Sequence, residues 1–161
     1  PLKDPKIIDK AVDLFLNNPN IDYVSNTIRP SYPEGLDVEV FSFLSLALAN
    51  DKAKLKSERE HVTPYIYKHP EIFSLDSYEN HLDLSAMRWT VDEVEDFDFV
   101  TEIYRNLYPS KANFIMADIL TLLNDRPDIV AKNSFITRNE GSKKSLIEDE
   151  TFLLNNEKKL K

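Results

Sequence analysis

Residues with catalytic potential gather first in the motif Arg88-Trp-Thr-Val-Asp92. The motif follows a predicted strand and precedes a predicted helix, and ligands of open α/β sheets bind at junctions of this kind. Asp92 can hold Mg²⁺, which prefers one or two carboxylates together with substrate phosphates. Asp92 or Thr90 can equally cap the helix that follows, and the residue types alone favour the cap. Both interpretations stay open on the motif itself.

A second polar cluster is Ser57-Glu-Arg-Glu-His-Val-Thr63. On a helix, Arg59 and Thr63 share a face, whereas Glu60 and His61 point elsewhere. A guanidinium binds anions and an imidazole titrates near neutral pH, so one interpretation is an anion site at a helix start. The other is a capping box, Ser57-x-x-Glu60, with surface charges around it, and such boxes are common.

A third candidate is the segment Tyr32-Pro-Glu-Gly-Leu-Asp-Val-Glu39. Its alternating acids, Asp37 and Glu39, are expected on one face of a strand. Such a face can bind sugar hydroxyls or a metal, and it can also be a solvated edge. Arg138-Asn-Glu-Gly141 is a turn beside a basic residue, and spacing favours a plain turn.

Composition excludes several classes of protein. The 161 residues contain no cysteine, which removes disulfides, thiolate zinc sites and cysteine nucleophiles. No apolar run approaches the roughly 20 residues of a membrane span. The net charge of -8 repels a phosphate backbone, so nucleic-acid binding is not expected. We expect a reduced, soluble and cytoplasmic protein without a membrane partner.

The low glycine count also bears on function. Gly35 and Gly141 are the only glycines, so neither a Walker motif nor a G-x-G-x-x-G loop can be written. The chain also opens on Pro1 rather than Met. Together with a thin predicted sheet, these features predict the C-terminal part of a larger α/β domain over residues 1–150. Residues 151–161 are predicted to form a polar tail.

Alternating elements position these motifs. Asp4 and Pro5 predict a helix start, and Ser42 or Ser45 can cap a second helix through Ala53. Further helices are predicted from Ser57 through Tyr67, from Thr90 to Leu107, over 114–123 and over 128–132. Strands are predicted over 22–26, 38–41 and 84–88. The pattern indicates the α/β class.

At this point the chain resembles a known family, the SpsF-like spore-coat polysaccharide biosynthesis cytidylyltransferases. The matching blocks occur in the family's order and are specific as a set. They are Pro1-Leu-Lys-Asp-Pro5, Asp22-Tyr-Val-Ser-Asn26, Tyr32-Pro-Glu-Gly-Leu-Asp-Val-Glu-Val-Phe41, Glu58-Arg-Glu-His-Val-Thr-Pro-Tyr-Ile66, Arg88-Trp-Thr-Val-Asp-Glu-Val-Glu-Asp-Phe97, Asn133, Arg138-Asn-Glu-Gly141 and Lys144-Ser145.

The resemblance implies a fold and a reaction. The implied fold is a three-layer α/β/α Rossmann-like nucleotide-diphospho-sugar transferase domain, similar to that of the acylneuraminate and Kdo cytidylyltransferases. The implied reaction transfers CMP from CTP to a sugar or sugar acid and releases pyrophosphate, with Mg²⁺. The family's glycine-containing nucleotide loop and the metal-binding Asp just before the Pro-Leu block have no match here, so this chain alone is not expected to turn over. A homodimer is an expected assembly.

The resemblance also assigns roles to residues. Asp92 matches a metal-holding acid, which raises the metal interpretation above the cap, and Arg88 is placed to meet a phosphate or carboxylate. The remaining matches are expected to contact the acceptor substrate: Asn26, Asp37, Glu39, Arg59, Glu60 and His61. Two alternatives remain open, a non-catalytic homologue acting as an interaction module and a glycosyltransferase on a similar fold.

Overall fold

The computed structural model describes residues 1–136 together with Glu148, Asp149, Thr151 and Leu153. Ten named elements lie in the first range. In chain order they are α1 (Pro5–Asn17), β1 (Tyr23–Ser25), β2 (Glu39–Phe41), α2 (Phe43–Lys52), α3 (Lys56–Glu60), α4 (Pro64–Tyr67), β3 (Leu75–Ser77), α5 (Val94–Leu107), α6 (Met116–Asp125) and α7 (Pro127–Val130).

The three strands form one small mixed sheet in the order β2-β1-β3. β1 pairs antiparallel with β2, so that Ser25 lies opposite Glu39. It pairs parallel with β3, so that Ser25 also lies beside Ser77. The ends of β1 and β3 and the start of β2 therefore meet at the same edge.

Apolar clusters cover both faces of this sheet. On one face, Tyr23 packs with Ala49 of α2, Tyr65 and Ile66 of α4, and Phe73. On the other face, Val24 belongs to a larger cluster built mainly from α1, α5, α6 and α7. Alternate residues of β1 point to opposite faces, which is why neighbours Tyr23 and Val24 enter different clusters.

The α/β class is confirmed, and the sequence placed most elements correctly. The Asp4 side chain accepts a hydrogen bond from the backbone N–H of Lys6, with Pro5 as the first helical residue. Ser42 caps α2 through the backbone N–H of Ser45. The finer expectation of a three-layer Rossmann-like domain stays a prediction, as do the proposed boundaries at residues 150 and 151.

Two predictions of secondary-structure elements are wrong. The single helix expected from Ser57 through Tyr67 is divided into α3 and α4, because the chain turns sharply at Val62 and restarts at Pro64. The strand expected over 84–88 is limited to an isolated bridge between Glu34 and Arg88, and the third strand is β3 instead.

Gly35 shows why this bridge needs a glycine. Its φ is +97°, and a Cβ added there would lie 2.7 Å from the carbonyl carbon of Trp89. A side chain would therefore collide with backbone, which cannot move aside as a flexible side chain can. The close approach lets the backbone N–H of Trp89 donate to the carbonyl of Glu34 at 2.7 Å. Separately, no helix within the described ranges is long and apolar enough to cross a membrane.

Candidate active site

Polar side chains form a row at the edge where the three strands meet. We call Glu39, Ser25 and Ser77 the polar row, because strand register places them side by side on one face of the sheet. The row lies at the carboxyl ends of the parallel strands β1 and β3, which is the ligand-binding edge of open α/β sheets. Ser77 Oγ is buried and has no hydrogen-bond partner among the residues that the structure describes.

The Glu39 carboxylate is held by two hydroxyl groups. Tyr23 donates a hydrogen bond to Oε1, and Thr63 Oγ1 lies 3.0 and 3.1 Å from Oε1 and Oε2. A carboxylate offers about four acceptor positions, so two hydroxyl donors leave capacity for others. Because Glu39 is an exposed residue, that capacity faces solvent. The carboxylate is therefore fixed in orientation and still able to accept hydrogen bonds from a ligand.

The tyrosines around Glu39 are held in their protonated form. Burial and the nearby Glu39 charge raise the pKa of the Tyr67 phenol. The same two causes, burial first, raise the pKa of Tyr23 well above its usual range. The Tyr23 and Tyr67 rings lie 6.3 Å apart. Because both phenols keep their protons, neither adds a negative charge beside Glu39.

A strained turn just before Thr63 places this residue at the Glu39 site. Val62 has φ +69°, and the N–H of Thr63 donates to the carbonyl of His61 at 2.8 Å. A three-residue turn with positive φ is a rare and strained conformation, and it is a genuine outlier for a β-branched residue such as valine. Such conformations persist where the surrounding structure fixes them, and they concentrate at functional sites.

The structure brings the end of α3 to the same place. Glu60 is the last residue of α3, and His61 follows as its C-cap, so both adjoin the turn that delivers Thr63. Arg59 faces another way, since its Nη1 donates to the carbonyl and side-chain oxygens of Asn50 at 2.7 and 3.1 Å. The roles predicted for these three residues toward an acceptor remain predictions.

The expected Ser57-x-x-Glu60 capping box is wrong. Instead, Glu58 Oε2 accepts hydrogen bonds from the backbone N–H groups of Lys54 and Leu55 at 3.0 and 3.1 Å. The carboxylate one turn into α3 therefore satisfies the donors that precede the helix.

Asn26 and Asp37 both lie close to the polar row in sequence, Asn26 just after β1 and Asp37 shortly before β2. Asn26 is buried, and its amide donates to the Leu36 carbonyl at 2.9 Å and accepts from the Val38 N–H at 2.8 Å. It thus fixes the segment that enters β2. Asp37 precedes the strand, because β2 begins at Glu39, and its expected place on the same face as Glu39 stays a prediction.

Arg88 lies in a separate and buried ionic network. Its Nε and Nη2 bind both oxygens of Asp96, at 3.0 and 2.8 Å, and its Nη1 lies 3.0 Å from Glu34 Oε2. Asn133 donates to the Arg88 carbonyl and to Asp96 Oδ1, both at 2.9 Å. The guanidinium therefore meets carboxylates of its own chain, and its main visible effect is to join the 34–35 loop to α5.

Asp92 is the exposed member of this network. Its side chain is 64% exposed, and Oδ2 lies 3.1 Å from Arg88 Nη2. The cap once expected of Asp92 or Thr90 is supplied elsewhere, since Asp96 Oδ2 accepts the backbone N–H groups of Asp92 and Glu93 at 3.1 Å. Asp92 is left with an exposed carboxylate beside a helix start.

The donor set fits Mg²⁺ only in part. Among the described residues, no three His, Asp or Glu side chains are grouped so that they could hold a metal ion. Mg²⁺ can be bound by one carboxylate when substrate phosphates supply other ligands, and Asp92 can be that carboxylate. Arg138, Gly141, Lys144 and Ser145 lie outside the described residues.

Sequence reasoning missed the hydroxyl groups around Glu39. Tyr23, Ser25 and Ser77 reach the site only through strand pairing, and no local spacing predicts that pairing. Thr63 was noted for its helical spacing to Arg59, whereas the structure uses it against Glu39. The available signal was period-two alternation, which places Tyr23 and Ser25 on one face of β1.

Two curated proteins are similar to this chain in sequence. The chain is 38% identical over 138 residues to the uncharacterized protein MJ1063 of Methanocaldococcus jannaschii, with 83% of this chain and 54% of that protein covered. It is 26% identical over 132 residues to the spore coat polysaccharide biosynthesis protein SpsF of Bacillus subtilis, with 80% and 52% covered. The chain thus spans about half the length of the curated relatives it matches. No family model matches.

A solved structure is also similar to this chain. A cytidylyltransferase from Leptospira borgpetersenii serovar Hardjo-bovis superposes with a TM-score of 0.78 at 31% sequence identity, covering 86% of this chain and 57% of that one. This chain is cytidylyltransferase-like in sequence and fold. The resemblance noted in the sequence is supported at that level.

Proposed function

We propose that this chain forms the acceptor-binding part of a nucleotidyltransferase that transfers CMP from CTP to a sugar or sugar acid, as in surface or coat polysaccharide synthesis. The observation that carries the proposal is the polar row, with an oriented Glu39 carboxylate at the ligand-binding edge of a cytidylyltransferase-like sheet. Carboxylates and hydroxyls are the groups that bind sugar hydroxyls directionally.

In the proposed reaction an acceptor hydroxyl oxygen bonds to the α-phosphorus of CTP. The bond from that phosphorus to the bridging oxygen breaks, pyrophosphate leaves with the electron pair, and the hydroxyl proton passes to solvent. Glu39 accepts hydrogen bonds from acceptor hydroxyls, while Tyr23 and Thr63 hold the carboxylate in place. Correct positioning of the nucleophile supplies much of the rate enhancement in such transfers.

The network around Arg88 has a supporting part in this proposal. Mg²⁺, when bound, neutralises charge on the phosphates. Asp92 would be its ligand from this chain. Arg88 holds the Asp92 carboxylate from one side at 3.1 Å and is itself fixed by Asp96. We therefore assign Arg88 a positioning role toward Asp92 rather than direct contact with a phosphate.

The test is pyrophosphate release with Mg²⁺, measured with CTP, UTP, ATP or GTP and a panel of sugars and sugar acids. The product of the complete reading frame and the 161-residue chain are assayed side by side. We expect CTP- and acceptor-dependent release by the former. Transfer of a sugar from a nucleotide-sugar donor, with release of the nucleoside diphosphate and no pyrophosphate, would favour the glycosyltransferase alternative. No release with any nucleotide would contradict the proposal and favour an interaction module.

A further inference from the structure

A buried aspartate far along the chain caps the short helix that leads into the Glu39 site. Asp149 Oδ1 accepts a hydrogen bond from the backbone N–H of Ser57 at 3.1 Å, across 92 positions of sequence. Asp149 is 5% exposed. Its neighbour Glu148 forms an ion pair with Lys56 at the surface. Two successive residues, Glu148 and Asp149, therefore bind the first turn of α3 from outside the helix.

The state of the Asp149 carboxyl agrees with this role. Burial alone would raise its pKa. Hydrogen bonds from Ser57, helped by the charge of Lys68, outweigh burial and leave the pKa lowered. The negative charge is thus favoured where it meets the N–H groups at the start of α3.

α3 needs such an external partner. A helix of five residues is too short to be stable alone, because the cost of its first turn is not recovered. Its N-cap residue, Leu55, has no side chain that can accept a hydrogen bond. Within the helix, Glu58 satisfies only the N–H groups of Lys54 and Leu55. Asp149 accepts the N–H of Ser57, the second residue of α3.

The far end of α3 runs directly into the strained turn. His61, the C-cap, donates to the Ser57 carbonyl at 3.0 Å, and its own carbonyl accepts from Thr63 across Val62. Beyond the turn, α4 is anchored in the core through Tyr65 and Ile66. The turn therefore lies between two anchored helices. Backbone strain persists where the surrounding structure fixes a segment in this way.

We propose that Asp149 is a positioning residue for the Glu39 site: it anchors α3, and through α3 it holds the His61–Thr63 turn against the Glu39 carboxylate. The consequence for catalysis rests on the function proposed above. The structural link from Asp149 to the turn does not rest on it.

The test compares two caps of the same chemistry in the full chain. Asp149→Ala removes the cap of α3. Asp118→Ala is the control at α6, where Asp118 Oδ2 accepts the Ile115 N–H at 2.8 Å and the carboxylate also pairs with Lys111. Both variants are expected to lose stability. Only Asp149→Ala should speed amide hydrogen exchange over residues 56–63, by about fivefold or more. Equal exchange there in wild type and Asp149→Ala would overturn the proposal.

Turnover of the complete protein supplies a second readout. Asp149→Ala should raise KM for the acceptor about five- to tenfold with little change in KM for CTP, and Asp149→Asn, which keeps an acceptor oxygen, should restore most of it. In a Thr63→Val background the hydrogen bond from Thr63 to Glu39 is already lost. Asp149→Ala should therefore raise KM by a smaller factor than it does in the wild type. Full additivity of the two substitutions would overturn the proposal. If no variant turns over, hydrogen exchange still decides the structural link, while the proposed function alone fails.

Discussion

At the scale of single residues, Glu39 is the side chain on which the proposed site depends. Its carboxylate is oriented by Tyr23 and Thr63. The negative charge of that carboxylate helps to raise the pKa of both neighbouring tyrosines. The sequence identified Glu39 because of its place in a short alternating segment. It could not identify the partners, since they come from β1 and from the loop after α3.

Replacing Glu39 with glutamine removes the negative charge of the side chain and keeps its shape. The amide oxygen of Glu39→Gln still accepts from Tyr23 and Thr63, so the fold should survive with a small change in melting temperature. Loss of the charged acceptor should lower kcat/KM for the acceptor substrate by about tenfold or more. Glu79→Gln, on an exposed ion pair with Arg29, is the control and should leave kcat/KM unchanged. Equal activity of the two variants would exclude Glu39 from the site.

The same variant has a spectroscopic signature. The pKa of Tyr67 is raised by burial first and by the Glu39 charge second. Glu39→Gln removes the second cause, so the pKa of Tyr67 should fall toward its ordinary value while staying above it. Ultraviolet titration of the phenols, with Tyr67→Phe to assign the signal, measures this change.

At the scale of elements, local rules identified the helices better than the sheet. Asp4-Pro5 and Ser42 specify helix starts by chemistry confined to one turn, and both were recognised. β3 contains only Leu75, Asp76 and Ser77, too few residues for a visible period. Its pairing with β1 is a contact across fifty residues, which no window of sequence contains. The strand wrongly expected over 84–88 has suitable residue types, but tertiary packing permits only one bridge there.

The turn at Val62 gives a prediction with an unusual sign. Val62→Gly removes the Cβ that makes φ +69° unfavourable. Relief of this strain should exceed the extra entropy of glycine in the unfolded chain, so the free energy of unfolding should rise by about 1 kcal/mol. At Val91, a partly exposed residue without positive φ, the same change should lower it by about 0.5–1 kcal/mol. Chemical denaturation of both variants measures the contrast, and destabilisation by both would argue against strain at Val62.

At the scale of the whole molecule, the Arg88 network joins three parts of the chain that lie far apart in sequence. Arg88 connects the loop at Glu34 to the fully buried Asp96 of α5, and Asn133 attaches the chain beyond α7 to the same point. Removing one partner of a buried ion pair leaves the other charge without compensation, which costs far more than the net contribution of the pair. The geometry therefore gives Arg88 a structural role in addition to the positioning role proposed for it toward Asp92.

The network also predicts how stability depends on pH. Burial alone would raise the pKa of Asp96, but hydrogen bonds from Arg88, Asn133 and two backbone N–H groups outweigh it and lower the pKa to about 2. A carboxyl whose folded pKa lies below its unfolded pKa stabilises the fold above the unfolded value and loses that contribution as pH falls through the folded one. Between about pH 4 and pH 2, the wild-type protein should therefore lose about 2 kcal/mol through this group alone.

Asp96→Asn tests this assignment. The variant should be less stable than wild type at neutral pH, because Arg88 then faces an amide in a buried place. Its unfolding free energy should fall less steeply between about pH 4 and pH 2, because the group that titrates there is gone. Asp128→Asn is the matched control, since Asp128 pairs with Arg126 at the surface and should leave the acid slope nearly unchanged. An Asp96→Asn curve parallel to wild type throughout this range would show that the acid sensitivity of the fold arises elsewhere.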